Sequence, residues 1–225
     1  MGAALRVGRV EVTGGFLLLW SLLYYLDRDG LLVWAAVSMA LHELGHIICL
    51  RLWGGRVALV RLSCVGVELR QAAGGPRSRL ARAAVALAGP LASVSAAFLA
   101  SRLAERWAAL YLLAGLSLGH GLFNLLPFPA LDGGRALEAL GGPRLSGGLG
   151  LGLGMLLLAG GLWLLVRGRN PTLLLVTLWL LAAGKKPCNF REDMINYRSL
   201  NKGWSSAAAA CMRKRGGRYG RYERL

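Results

Sequence analysis

A long apolar stretch at residues 31–50 contains two histidines, a glutamate and a glycine within the sequence SMALHELGHIICL, residues 38–50. The residues on either side of these groups, 31–41 and 47–50, carry no charge. About 20 such residues can cross a bilayer as one helix. A charged side chain near the bilayer centre costs roughly 2.5–3.5 kcal/mol, so such groups are expected to serve a function. The stretch therefore predicts a transmembrane helix that carries a polar site.

The spacing of these polar residues predicts a metal site. His42 and His46 are four residues apart and share one face of a helix, where both can bind one metal ion. Glu43 is rotated by about 100° and lies beside that face. This is the H-E-x-x-H pattern of zinc hydrolases, in which the glutamate is the general base. We therefore predict His42 and His46 as ligands of one zinc ion per chain and Glu43 as the catalytic residue.

The composition indicates an all-α polytopic membrane protein. The 225 residues are 55% hydrophobic and 17% charged, and the mean hydropathy is +0.49. These values differ from those of soluble domains. We predict about six transmembrane helices, with spans at residues 13–26, 31–50, 83–100, 107–126, 147–166 and 171–184.

The formal net charge of +16 comes from 27 basic residues, which lie almost wholly between the apolar blocks. With six spans, 22 of these 27 residues fall on the side that holds both termini. The positive-inside rule places that side in the cytoplasm. We therefore predict a multi-pass integral protein of a bacterial cell membrane, with basic loops and a basic tail that contact anionic lipids. No nucleic-acid partner is expected.

Two segments lie outside the predicted spans. Residues 54–71 alternate β-branched and polar residues between glycines, which predicts a small membrane-associated β-hairpin between the second and third helices. Residues 185–225 form a basic tail with too few apolar residues for a core of its own. The predicted transmembrane domain therefore comprises residues 1–184.

A third metal ligand is expected after the fourth span. A hydrolytic zinc site uses three protein ligands and one open position. The second and fourth spans run in the same direction, so Asp132 falls at a depth similar to that of the histidines. Pro127, Pro129 and the pair Gly133-Gly134 are expected to unwind the helix there, which leaves backbone groups for an extended substrate.

The two motifs together resemble the site-2 protease family of intramembrane zinc metalloproteases. The signature N-x-x-P-x-P-x-L-D-G is complete, and Ala88-Gly89-Pro90 followed by Ser93 is a third family feature; the signature residues are Asn124, Pro127, Pro129, Leu131, Asp132 and Gly133. The resemblance implies that His42, His46 and Asp132 bind zinc and that Glu43 is the general base. It also implies that Asn124 positions the substrate or supports the oxyanion, and we group Pro127 and Pro129 with Asn124 as substrate-positioning residues.

The compact six-span plan resembles the branch of this family that contains stage IV sporulation protein FB. This resemblance implies cleavage of a membrane-associated sigma-factor precursor of the pro-sigma-K type near the cytoplasmic face, under control of regulatory membrane proteins. Members of that branch commonly carry a C-terminal nucleotide-binding CBS domain. Residues 185–225 are too few for one, so nucleotide regulation is not carried over.

Other interpretations stay open at this point. His120 lies one turn before Asn124. It could contact and orient the metal ligands, face the substrate or serve packing alone. The substrate could be an anti-sigma factor or another membrane regulator. A non-catalytic membrane metal-binding or transport protein could also hold histidine and carboxylate ligands, although a transporter needs ligands that lead across the bilayer.

Overall fold

The computed structural model describes residues 4–64, 66–71, 76 and 78–183, so the predicted tail at residues 185–225 lies outside the described residues. The described part contains four strands and seven helices. The strands are β1 (Ala4–Val7), β2 (Val10–Thr13), β3 (Val57–Ser63) and β4 (Gly66–Gln71). The helices are α1 (Gly14–Leu26), α2 (Leu31–Leu52), α3 (Arg79–Leu103), α4 (Leu110–Asn124), α5 (Asp132–Gly141), α6 (Pro143–Val166) and α7 (Thr172–Ala183).

Each of the six predicted apolar blocks coincides with a helix, but only three of these helices are long and apolar enough to cross a membrane. These are α2, α3 and α6, with 22, 25 and 24 residues. Helices α1, α4 and α7 have 13, 15 and 12 residues, and a 15-residue helix is only about 22 Å long. The fold indicates a membrane protein, and the number of six spans stays a prediction.

Helix α3 packs against α2, α4 and α5, and α2 also packs against α4. The helices approach closely because small residues lie at the crossings. A Cβ added to Gly45 of α2 would lie 2.5 Å from the Ala88 carbonyl oxygen and from the Ala92 Cβ. A Cβ on Gly121 of α4 would lie 3.0 Å from the Ser93 Cβ. Residues with larger side chains would push both helices away from α3.

The strands form one sheet in the order β1-β2-β3-β4. The predicted hairpin is present as β3 and β4, which pair in antiparallel fashion. The pairing of β1 with β2 is antiparallel and that of β2 with β3 is parallel. The two N-terminal strands were not predicted. Each has only four residues; β1 pairs only with β2, and β2 pairs with β3, which lies far along the chain.

The register of the sheet separates apolar and charged side chains onto opposite faces. One face carries a row of alternating charge across all four strands, namely Arg6, Glu11, Arg61 and Glu68. Within this row, Nε of Arg61 lies 3.1 Å from Oε1 of Glu11. The other face is aliphatic and consists of Leu5, Val7, Val10, Val12, Val60, Leu62, Val67 and Leu69. The sheet is therefore amphipathic, and its association with the membrane stays a prediction.

Thr13 connects this sheet to the first helix. Its hydroxyl group donates to the Leu62 carbonyl oxygen at 3.1 Å and accepts from the Phe16 amide at 3.3 Å. The same side chain is thus a cross-strand contact and the N-cap of α1. This arrangement places the sheet at the end of the molecule where α1 begins and α2 ends.

The chain between α4 and α5 leaves the helical conformation, as the prolines predicted, and becomes helical again at Asp132. The prediction that Gly133 and Gly134 are unwound was wrong, because both lie in the first turn of α5. The helix start packs tightly against the preceding loop. A Cβ on Gly133 would overlap the Leu125 carbonyl oxygen, and one on Gly134 would overlap that of Phe128. These glycines therefore permit close packing.

The loop that precedes Asp132 is held by the last two helices. Phe128, Leu131 and Leu180 of α7 form a buried apolar cluster. On α6, a Cβ at Gly150 would lie 2.8 Å from the Pro127 carbonyl oxygen and 3.1 Å from Cδ of Pro129. The position of Asp132 therefore depends on packing by α6 and α7.

The helix crossing at Gly45 yields a stability prediction. We expect Gly45→Ala to destabilise the protein by about 1–3 kcal/mol, because the added methyl group meets the backbone and side chains of α3. The control Gly119→Ala on α4 adds a methyl group to open space. It should be neutral or stabilise by up to about 1 kcal/mol, since alanine favours helix. Unfolding of the detergent-solubilised variants measures both, and equal stabilities would contradict the packing described.

Candidate metal site

Three predicted ligands meet at one point of the helix bundle. His42 and His46 project from successive turns of α2, and Asp132 lies at the start of α5. The Nε2 atom of His42 is 3.0 Å from Oδ2 of Asp132, and Nε2 of His46 is 3.2 Å from the same oxygen. The two Nε2 atoms are 3.2 Å apart. The three side chains could hold one metal ion.

The spacing of these atoms fits a tetrahedral metal ion. Two ligands that bind zinc at about 2.0–2.1 Å with tetrahedral angles lie about 3.3–3.4 Å from each other. The three measured separations, 3.0 to 3.2 Å, are close to that value. Only 2% of His42 and 5% of Asp132 are exposed, so water is largely excluded from these two ligands.

Helix α3 orients both imidazole rings. Nδ1 of His46 lies 2.8 Å from the Val85 carbonyl oxygen, which only accepts hydrogen bonds, so Nδ1 carries a proton. In neutral His46 the Nε2 atom therefore presents a lone pair. Nδ1 of His42 lies 2.9 Å from Oγ of Ser93. Such contacts on the second ring nitrogen orient histidines that bind metal.

The three facing atoms of His42, His46 and Asp132 are stable at these distances only with a cation between them. Two imidazole lone pairs and a carboxylate oxygen repel one another unless a proton or a metal ion lies between them. Asp132 is buried, and its Oδ2 is the oxygen that lies against both imidazole rings. Its other oxygen, Oδ1, lies 3.5 Å from Nη1 of Arg135. A divalent metal ion fits this set of residues.

Gly89 of α3 leaves the space that the His46 ring occupies. A Cβ at this position would lie 2.7 Å from Cδ2 of His46 and would overlap Nε2. The neighbouring Pro90 is also buried. The Ala88-Gly89-Pro90 motif, which the sequence singled out by resemblance alone, thus brings α3 directly against a ligand.

Glu43 lies on α2 between the two histidines and is half-buried. It interacts electrostatically with His42, His46, Asp132 and Arg135. The helical spacing puts Glu43 next to the face of α2 that carries the two histidines, and its role as general base stays a prediction. A carboxylate in this place can exchange a proton with a water molecule held at the site.

The remaining predicted site residues take different positions. The ring of His120 stacks on that of His42, with centroids 4.4 Å apart and planes at 14°. Asn124 donates from Nδ2 to the His120 carbonyl oxygen at 3.0 Å, so its amide group binds its own helix. Pro127 and Pro129 lie in the loop against α6. Two residues that the analysis of the sequence did not assign to the site, Val85 and Arg135, contact it, and no motif indicated either.

Removal of the carboxylate ligand is expected to weaken metal binding. Asp132→Asn replaces a charged donor by a neutral amide, so we expect a loss of zinc affinity beyond the roughly 10–100-fold that loss of a supporting residue costs. The control Glu138→Gln removes a charge from an exposed position on the same helix. Elemental analysis and competition with a chelator measure both variants. Unchanged metal content in Asp132→Asn would remove this residue from the ligand set.

The hydroxyl group of Ser93 is expected to support metal binding through His42. Ser93→Ala should lower zinc affinity by roughly 10–100-fold, because the imidazole loses the group that orients it. Ser101→Ala is a matched control, since its hydroxyl donates to the Phe98 carbonyl oxygen of its own helix. If both variants bind zinc like the unaltered protein, the contact between Ser93 and His42 does not contribute.

Comparison with known proteins shows a structural likeness. A site-2 protease from Methanocaldococcus jannaschii superimposes with a TM-score of 0.60 and 22% sequence identity, over 83% of this chain and 94% of that chain. No protein-family model and no curated protein matches the sequence. At this identity the likeness concerns the fold. The chain therefore has the fold of a site-2 protease and contains a His-His-Asp group that can hold a metal ion.

Proposed function

We propose that the protein is an intramembrane zinc metalloprotease of the site-2 protease type, which hydrolyses a peptide bond of a membrane-associated protein. The observation that carries this proposal is the convergence of His42, His46 and Asp132 beside Glu43, on the fold of a site-2 protease. Three protein ligands leave one coordination position for the reaction, as in catalytic zinc sites.

The residues of this chain divide the chemistry among them. Zinc, when bound, supplies a Lewis acid that brings the ionisation of water to roughly pH 7 and polarises a carbonyl group. Glu43 accepts a proton from the attacking water and delivers it to the leaving amine. The substrate must unwind before it reaches the site, because the carbonyl groups of an intact helix are hydrogen-bonded and shielded.

The proposed location of cleavage is near the cytoplasmic face. His46 lies five residues before Arg51, at the end of α2 that the distribution of basic residues assigns to the cytoplasm. This orientation and a bacterial source rest on the sequence. Contact of the basic loops with anionic lipids is part of the same proposal.

The proposed substrate is a membrane-tethered regulator of transcription. The resemblance of the predicted six-span plan to the branch of stage IV sporulation protein FB suggests a sporulation sigma-factor precursor of the pro-sigma-K type, controlled by other membrane proteins. An anti-sigma factor or another membrane regulator is the alternative. The likeness to the archaeal protease bears on the fold and leaves this choice open. Co-expression with each type of substrate distinguishes them by which one is cleaved.

A metal transporter is the competing proposal from another class. Such a protein needs successive ligand groups along a path through the bilayer. Among residues 4–183, as far as the structure describes them, a single group of three or more histidine, cysteine or acidic residues could hold a metal ion. One closed group beside a glutamate favours hydrolysis over transport.

The role of general base that we assign to Glu43 gives a direct test of the proposed mechanism. We expect Glu43→Gln to keep one zinc ion per chain and to abolish cleavage of a co-expressed membrane-tethered substrate, because the amide cannot accept the proton. Glu138→Gln should cleave normally. Cleavage is scored by immunoblot and zinc by elemental analysis. Undiminished cleavage by Glu43→Gln would refute the proposed mechanism.

A further inference from the structure

His120 is a polar side chain beside the candidate metal site to which the proposed mechanism assigns no role. It lies on α4, and its ring stacks face to face on that of the ligand His42. The ring is half-buried. A third imidazole thus lies within a few ångströms of the place where the reaction is proposed to occur.

The ring nitrogens of His120 have no hydrogen-bond partner among the residues that the structure describes; the one hydrogen bond at this residue involves its backbone carbonyl oxygen. A neutral imidazole always offers one N–H donor and one acceptor. The ring is only half-buried, so a molecule that enters beside His42 can reach it. The uncommitted donor and acceptor are therefore available to hydrogen-bond a substrate group that lies beside His42.

Asn124, to which the sequence assigned substrate positioning or oxyanion support, is already engaged. Its side-chain amide donates to the backbone of its own helix, one turn back at His120. That contact uses one of its two N–H groups. The ring of His120 is in direct contact with a metal ligand, and both of its nitrogens are free of partners within the described chain.

We propose that His120 is a catalytic residue that hydrogen-bonds the substrate. Its ring N–H donates to the carbonyl oxygen of the scissile peptide bond as negative charge develops there. This role rests on the proposed protease function and extends it. Donors aimed at a developing oxyanion stabilise the transition state more than the ground state, because the charge is larger there. The proton stays on His120, and no bond of this side chain breaks.

The alternative is that the ring only packs on His42. Substitutions of His120 can distinguish this role from a hydrogen bond to the substrate. Ser93 already orients the His42 ring through its contact with Nδ1. Phenylalanine keeps a flat ring that can stack on His42 but lacks both nitrogens. Glutamine keeps an N–H donor but loses the ring. The variants His120→Phe and His120→Gln therefore remove different properties of the same side chain.

The test uses the full-length, zinc-loaded protein in proteoliposomes with a membrane-tethered substrate. We expect His120→Phe to lower kcat by about 10²–10³-fold, as for removal of an oxyanion donor, with KM and zinc affinity unchanged. His120→Gln should recover at least about tenfold of this loss, although it lacks the ring. Cleavage by His120→Phe within about threefold of the unaltered enzyme would overturn the proposal. A loss that is restored by saturating zinc would overturn it also, and would assign the ring to packing.

A second measurement separates this proposal from the protease function itself. A peptide phosphonamidate has phosphorus in place of the attacked carbonyl carbon and a charged oxygen in place of the carbonyl oxygen. We expect it to bind His120→Phe more weakly than the unaltered protein, by a factor similar to the loss in kcat. Its affinity for Glu43→Gln should fall much less. Equal binding to His120→Phe and the unaltered protein would overturn the role of His120 alone. If the unaltered protein neither cleaves any membrane substrate nor binds the phosphonamidate, both proposals fail.

Discussion

The contact of three electron-pair donors, Nε2 of His42, Nε2 of His46 and Oδ2 of Asp132, is the interaction on which the structure of this site depends. Without a cation this contact is repulsive, and in an apolar bundle little water is available to weaken the repulsion. The neighbouring residues therefore hold the three groups in place. Ser93 and the Val85 carbonyl oxygen each contact one imidazole and define how it faces the others.

Close packing of helices makes this convergence possible. Gly45 and Gly89 remove the side chains that would separate α2 from α3, and Gly121 does the same between α3 and α4. Asp132 arrives from a loop that the apolar cluster around Phe128 fastens to α7. The ligands thus come from two helices, α2 and α5, and four further helices, α3, α4, α6 and α7, contribute to their arrangement. Residues without a chemical role of their own, above all the glycines, are therefore needed to bring the candidate ligands together.

The predictions from sequence succeeded where local spacing decides the outcome. The four-residue separation of His42 and His46 places both on one helix face. Asp132 was expected nearby from the predicted direction of the spans, and the fold does bring it to the histidines. The hairpin at β3 and β4 was visible in alternation and glycines. The strands β1 and β2 were missed because β2 pairs with residues of β3 that lie 50 positions along the chain (Val10 with Val60), and β1 pairs only with β2. The glycines after Asp132 were misjudged because their role, close contact with the preceding loop, is invisible without the fold.

By itself the sequence determined the chemistry that is available: an apolar chain, one pair of histidines at helical spacing with a glutamate, and one carboxylate after a proline-broken helix. Only the tertiary structure decided which side chains meet. It joined Asp132 to the histidines, turned Asn124 toward its own backbone and stacked His120 on His42. The physical reason is that residue spacing defines positions along one helix, whereas distances between helices depend on packing at all their crossings.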